Sequence, residues 1–200
     1  MAILGLQGVR GGVGTTSLTA ALAWALQILG ENVLVIDASP DNLLRMSFNV
    51  DFVHQGGWAR SLLDGQDWRD AGLRYTSQLD LLPFGQLTAQ ERENPQAWQE
   101  TLGEIGSAIQ ALPAGAYILI NDLRIGSQLQ DDLYQVWLQS QRRLLPIVIH
   151  RDEAMAECMA SKQPLGEYRS DSLAAEEVLT LANWCLLHDA GDKTSAGSLR

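Results

Sequence analysis

Short apolar runs alternate along this chain with stretches in which apolar residues recur every three or four positions. Ala2–Gln7 is an apolar run closing on a glycine-rich turn, which predicts a buried strand. From Thr16 the period changes. Leu18, Leu22, Leu26 and Leu29 recur at helical spacing, and Gly30 stands where a helix C-cap belongs. NVLVID follows, a second buried strand ending at Asp37. Strand, glycine loop, helix and strand make a βαβ unit, whose crossover is expected to be parallel and right-handed. Asp41–Asn49 and Gly57–Leu63 read as short helical pieces, and QLDLLPFG as a third strand. Pro95–Leu112 carries a helical pattern with Trp98, Leu102, Ile105 and Ile109 on one face. AYILIND is a fourth strand, Leu129–Gln141 a helix with Leu133, Val136 and Trp137 on one side, and LLPIVIHRD a fifth strand. Pro146 is best tolerated near the start of that strand or on a sheet edge. Glu153–Lys162 and Asp171–Leu187 are the last two helices. The expected fold is α/β, a mostly parallel sheet with flanking helices, in one domain over residues 1–187. The small, polar segment 188–200 reads as a disordered tail.

The stretch LQGVRGGVGTTSL, between the first strand and the first helix, carries the clearest chemistry. A phosphate loop points successive backbone N–H groups, backed by a helix N-terminus, at an anion. Gly8, Gly11, Gly12 and Gly14 permit that close backbone approach, and Thr16 places a hydroxyl in the first helical turn, where it suits Mg²⁺. The general pattern GxxxxGK[ST] is broken twice, by Val9 at its first glycine and Thr15 at its lysine. A tight glycine turn without a ligand is the competing reading. Asp37, at a strand C-terminus beside the loop, lies where open α/β sheets bind ligands.

Composition narrows the functions. In 200 residues the formal net charge is -10, with no strongly basic run, which argues against a nucleic-acid partner. No apolar run approaches the ~18 residues of a membrane span, and the first residues lack the charged start and cleavage site of a signal peptide. The two cysteines, Cys158 and Cys185, have neither metal-type nor CxxC spacing, which suits a reduced cytoplasmic protein. Trp58, Trp68 and Trp98, clustered in mid-chain, suggest a protein interface.

RGGVGTT followed by GENVLVIDASPDN resembles the deviant phosphate loop of the MinD/ParA ATPases, P-loop NTPases of the SIMIBI type, whose pattern is KGGxGK[ST] with a following strand ending in DxD. The resemblance implies ATP and Mg²⁺ as cofactors. Val9, Arg10, Gly11, Gly12, Val13, Gly14, Thr15, Thr16 and Ser17 would hold the nucleotide, with Thr16 and Asp37 at the metal. Arg10 stands where the family lysine reaches across an ATP-sandwich dimer. Thr15 replaces the second lysine, and Ser39 replaces the second acid, which helps orient the attacking water. Phosphoryl transfer depends on positioning and charge stabilisation, so these losses weaken hydrolysis more than binding. No residue is assigned a catalytic role; Asp37 is the one candidate.

Longer segments, among them SPDNLLRMSFNVDF and GWARSLLDGQDWRDAGLRYTSQLDLLPFGQL, are similar to the accessory ATPase-like proteins of bacterial cellulose secretion, over nearly the whole chain. This implies a cytoplasmic homodimer that binds ATP and assists assembly or placement of the cellulose synthase. Its partners would be the small protein BcsR and other subunits of that complex. These would bring it to the inner membrane face or cell pole without a membrane anchor of its own. An active partitioning ATPase and a remnant that keeps only protein-interaction surfaces are the two rivals.

One part of the family pattern is missing. After Gln86 the family fold carries a strand ending in an acidic Walker B element, then a helix, another strand and another helix. Here one helical pattern leads into YILIND. Either Asp122 is the Walker B acid, or this is the late strand whose asparagine, Asn121, reads the adenine. The helix, strand and QPLGEY that follow are the family's closing order, which favours Asn121. About two βα units, on the order of 50 residues, are then absent.

Overall fold

A computed structural model describes residues 3–93 and 117–196. The expected helix Pro95–Leu112 lies outside these residues. The opening helix, α1, spans Thr15–Ile28 and buries Leu18, Ala20, Ala21, Leu22, Ala23 and Ala25. Gly30, at φ 93, ends it: Gly30 N–H donates to Gln27 O and Glu31 N–H to Leu26 O, which satisfies the last carbonyls. Strand β1 (Val33–Ile36) follows, then a 3₁₀ turn at Leu44–Phe48, α2 (Trp58–Leu63) and a second 3₁₀ turn at Trp68–Ala71. The short β2 (Leu73–Arg74) and β3 (Leu79–Leu82) form a hairpin, and α3 covers Ala89–Glu93. Beyond residue 116 come β4 (Ile118–Leu123), α4 (Gln128–Ser140), β5 (Leu144–His150), α5 (Ala154–Ala160), α6 (Leu165–Tyr168) and α7 (Leu173–Ala196).

Among the described residues the strands form two sheets, where a single one was expected. One has the order β1-β3-β2, with β1 parallel to β3 and β2 antiparallel; the other is the parallel pair β4-β5. The predicted strand Ala2–Gln7 joins neither. Ile3–Gly8 has no strand assignment and no backbone hydrogen bond among the described residues. Its apolar run supplies the side chains of a strand, but a strand also needs a neighbour to complete its ladder.

Helix α1 is the wall shared by both sheets. Leu18, Ala21, Leu22 and Ala25 pack with Leu145, Ile147 and Ile149 of β5 and Val178 and Leu181 of α7. On another face, Ala20 and Ala23 pack with Val35, Leu79, Leu81 and Phe48. A third cluster gathers Trp58, Ala59, Leu82, Phe84 and Leu87. Trp58, expected from sequence at an interface, is therefore core, with no exposed surface.

Two elements depart from expectation at the far end. Helix α4 forms as its period predicts, yet Leu133, Val136 and Trp137 remain 48%, 58% and 44% exposed. Helix α7 continues past Leu187, where its period was expected to end, through Ala196. Gly191 alone costs ~1 kcal/mol against alanine, too little to halt a helix propagating from buried turns.

Candidate nucleotide-binding site

The glycine loop fills the turn between Gly8 and Thr15. Gly14 is the N-cap of α1, with φ 84, and Gly12 has φ 77. Gly8 is required by crowding: a Cβ there would lie 2.7 Å from both Thr15 Oγ1 and Val13 Cγ2. The loop surrounds itself with donors. From Gly8 to Ser17 no backbone N–H has an acceptor among the described residues, and Leu18 N–H is the first to bond, to Gly14 O at 2.9 Å. These groups stand at the start of a 14-residue helix, whose dipole adds to their attraction for an anion. Thr16 is half-buried in the first turn, and its hydroxyl makes no hydrogen bond within the described residues. Arg10 is exposed and has no ion pair among them.

Asp37 leaves β1 with its carboxylate turned inward. It is 5% exposed, and its two oxygens accept from Ser39 N–H at 3.0 Å and Leu44 N–H at 3.1 Å. Burial pushes its pKa up, against the lowering effect of those two backbone donors. Its carbonyl accepts from Trp58 Nε1 at 2.8 Å. Asp37 is thus fixed as the hub of the turn after β1, while Ser39 itself is exposed.

Asn121 comes to the loop itself. Its Nδ2 donates to Val13 O at 2.9 Å. Asp122 is engaged by Arg151, with Nε–Oδ1 at 2.8 Å and Nη2–Oδ2 at 2.5 Å, and that guanidinium holds its carboxyl below the usual range. The neighbouring His150 is clasped by Glu177, which accepts its N–H at 2.7 Å and meets Nδ1 at 2.5 Å. Asp152 accepts from Ala154 N–H at 2.9 Å and Ala174 N–H at 3.1 Å.

Two residues contribute in ways not read from sequence: Arg45 was not singled out at all, and Trp58 was singled out only as part of a tryptophan cluster. Arg45 is 4% exposed, and its guanidinium donates to the carbonyls of Asn42, Asp51, Phe52 and His54. Trp58 buttresses the Asp37 turn from below. Neither carries a motif, because each acts through main-chain carbonyls that any residue supplies. The described residues contain no group of three or more His, Cys, Asp or Glu able to hold a metal. No helix among the described residues is long and apolar enough to cross a membrane.

The family of the cellulose biosynthesis protein BcsQ matches residues 1–112 and again 107–186. BcsQ of Salmonella typhimurium is 79% identical over 250 residues, covering 100% of both chains, and BcsQ of Escherichia coli K12 is 62% identical over 248 residues, covering 99% of each. Since the chain has 200 residues, 50 of the 250 aligned positions have no residue of this chain opposite them. The break between the two family matches, near 107–112, falls within the stretch where two βα units were expected to be missing. Among solved structures, the septum site-determining protein MinD complexed with Mg-ADP, from Pyrococcus horikoshii, has a TM-score of 0.57 at 19% identity, covering 86% of this chain and 90% of that one. The fold is that of the MinD/ParA ATPases, shortened, and the chain belongs to the BcsQ family of cellulose biosynthesis proteins.

Proposed function

We propose that this chain is an ATP-binding accessory protein of the bacterial cellulose synthase secretion complex that serves assembly or placement, with little or no hydrolysis. The observation that carries the reading is the run of N–H groups from Gly8 to Ser17, at the start of α1, that have no acceptor among the described residues. Such a cradle fits the phosphates of a nucleotide, and Val9 to Ser17 are the residues that would hold them. Thr16 would meet Mg²⁺ from the first turn, and the Asp37 carboxylate would support the metal shell from the neighbouring strand end. When bound, the ion would neutralise phosphate charge. Thr15 and Ser39 leave the loop without its second cation and the turn without its second acid, so positioning for hydrolysis is poor.

Exposed Arg10 suits a homodimer in which each loop receives an arginine from its partner. The chain's acidity favours protein partners over nucleic acid. BcsR and the synthase subunits are the partners in this reading, and they would hold the protein at the cytoplasmic face of the inner membrane or at a cell pole. A second reading is a remnant that keeps only its interaction surfaces; the split sheet and the 50-position gap favour it.

Titration of the purified chain with a fluorescent ATP analogue in Mg²⁺ separates the two. Saturable binding that Arg10→Ala weakens supports the accessory ATP-binding protein. Retention of BcsR without any nucleotide signal leaves the remnant. ATP turnover stimulated by DNA or lipid would replace both with a partitioning ATPase.

A further inference from the structure

The phosphate loop is anchored from outside. Asn121 Nδ2 donates to Val13 O at 2.9 Å, and a Cβ on Gly14 would lie 2.7 Å from the same nitrogen. The amide is therefore packed against the peptide that joins Val13 to Gly14. In a trans peptide the C=O and N–H of one unit point in opposite directions. Holding the Val13 carbonyl towards β4 accordingly turns the Gly14 N–H away from β4, as one of the loop's unpaired donors.

A strand defect places the amide there. The β4–β5 register passes from Asn121↔Ile149 to Leu123↔His150, so Asp122 is an extra residue on β4. Such bulges re-aim the side chains beside them. Asp122 takes φ 64, a left-handed conformation that aspartate tolerates better than most residues. Arg151 locks it through the two-pronged ion pair and through its own N–H to Leu123 O at 2.8 Å. The bulge, its arginine clamp and the tether form one connected device.

We propose that Asn121 is a positioning residue for the phosphate loop, tuning affinity for the phosphate chain of any nucleotide. This rests on the reading that the loop holds phosphate. Two variants of the full-length chain test it: Asn121→Ala, which removes the amide, and Asn121→Asp, which keeps its shape but sets an acceptor against the Val13 carbonyl. Affinities for ATP, GTP and inorganic tripolyphosphate in Mg²⁺ are measured by calorimetry. The expected result is a loss of about tenfold for all three ligands, with the ATP-to-GTP ratio unchanged and Asn121→Asp at least as weak as Asn121→Ala. In the free protein, the Gly14 amide resonance should shift and exchange faster in both variants. Loss of ATP preference with tripolyphosphate affinity intact would overturn the proposal in favour of base reading. A wild-type chain that binds none of the three ligands would sink the phosphate reading. The tether would then be judged on the Gly14 amide alone, and an unchanged resonance and exchange rate would overturn it.

Discussion

At the scale of single residues, the site depends on contacts that fix backbone. Trp58 is fully buried, edge-on to Phe84 with ring centroids 4.8 Å apart, and its indole N–H serves the Asp37 carbonyl. Trp58→Phe keeps most of the apolar volume but leaves that buried carbonyl without its donor. The expected cost is about 1–3 kcal/mol. Trp58→Ala adds a cavity and should cost about 3–5 kcal/mol. Urea denaturation of the two variants checks both the values and their order; equal losses would mean that the indole hydrogen bond contributes nothing. Gly14→Ala is expected to be worse than its small volume suggests. The new methyl meets Asn121 Nδ2 at 2.7 Å on a backbone at φ 84, which strains an L-residue. Destabilisation by about 1–2 kcal/mol follows from the left-handed backbone alone. A variant as stable as wild type would show that the loop relaxes freely.

At the scale of elements, Asp152 joins two helices. Its Oδ1 caps the start of α5 at Ala154, and its Oδ2 reaches Ala174 in the first turn of α7. Burial raises its pKa, but the N–H groups of Ala174 and Ala154 and the Ser172 hydroxyl outweigh burial, and the net shift is downward. A carboxyl depressed in the folded state adds stability above its unfolded value and loses it as pH falls through the folded value. Asp152→Ala should therefore cost about 1–2 kcal/mol at neutral pH. The difference from wild type should shrink as pH drops below 3.8, the ordinary value for this carboxyl. Thermal melts at several pH values read it directly, and a difference that is constant down to pH 2 would contradict the capping role.

The same scale shows what the sequence makes legible. α1, β1, β3, β4, α4 and β5 lie where period and punctuation put them, because each has a local signature: an apolar stripe, an apolar run or a capping glycine. The turn itself was readable, since the glycines crowd the junction between an apolar run and a helical period, and Gly12 and Gly14 do take positive φ. Ile3–Gly8 was not, because its pattern says strand while the partner that would make it one is non-local. The inward turn of Asp37 and the clamp of Arg45 were hidden for a related reason. Their partners are backbone atoms, which leave no trace in residue identity. The β2–β3 hairpin was missed because its first strand is two residues long, too short for any period.

At the scale of the whole molecule, the consequences of the shortening converge. Among the described residues, α1 is the wall between two sheets, the apolar segment Ile3–Gly8 has no ladder, and the apolar side of α4 is exposed. The family match breaks near 107–112, and 50 aligned positions of the Salmonella typhimurium relative have no residue here. A sheet completed by two further βα units would offer ladder partners where the described residues show none, and strands without partners expose backbone that water or another chain must satisfy. Inserting the relative's 50 residues at this junction should therefore do more than lengthen the chain. If those residues complete the sheet, the urea m-value, which scales with the surface exposed on unfolding, should rise by more than the ~25% expected from length alone. Amide exchange at Leu4 and Leu6 should slow from near-solvent rates to the protection of a core strand, since a ladder hydrogen bond opens only with the unit that contains it. An m-value that rises only in proportion to length, with Leu4 and Leu6 still exchanging freely, would mean that the two-sheet arrangement is complete in itself.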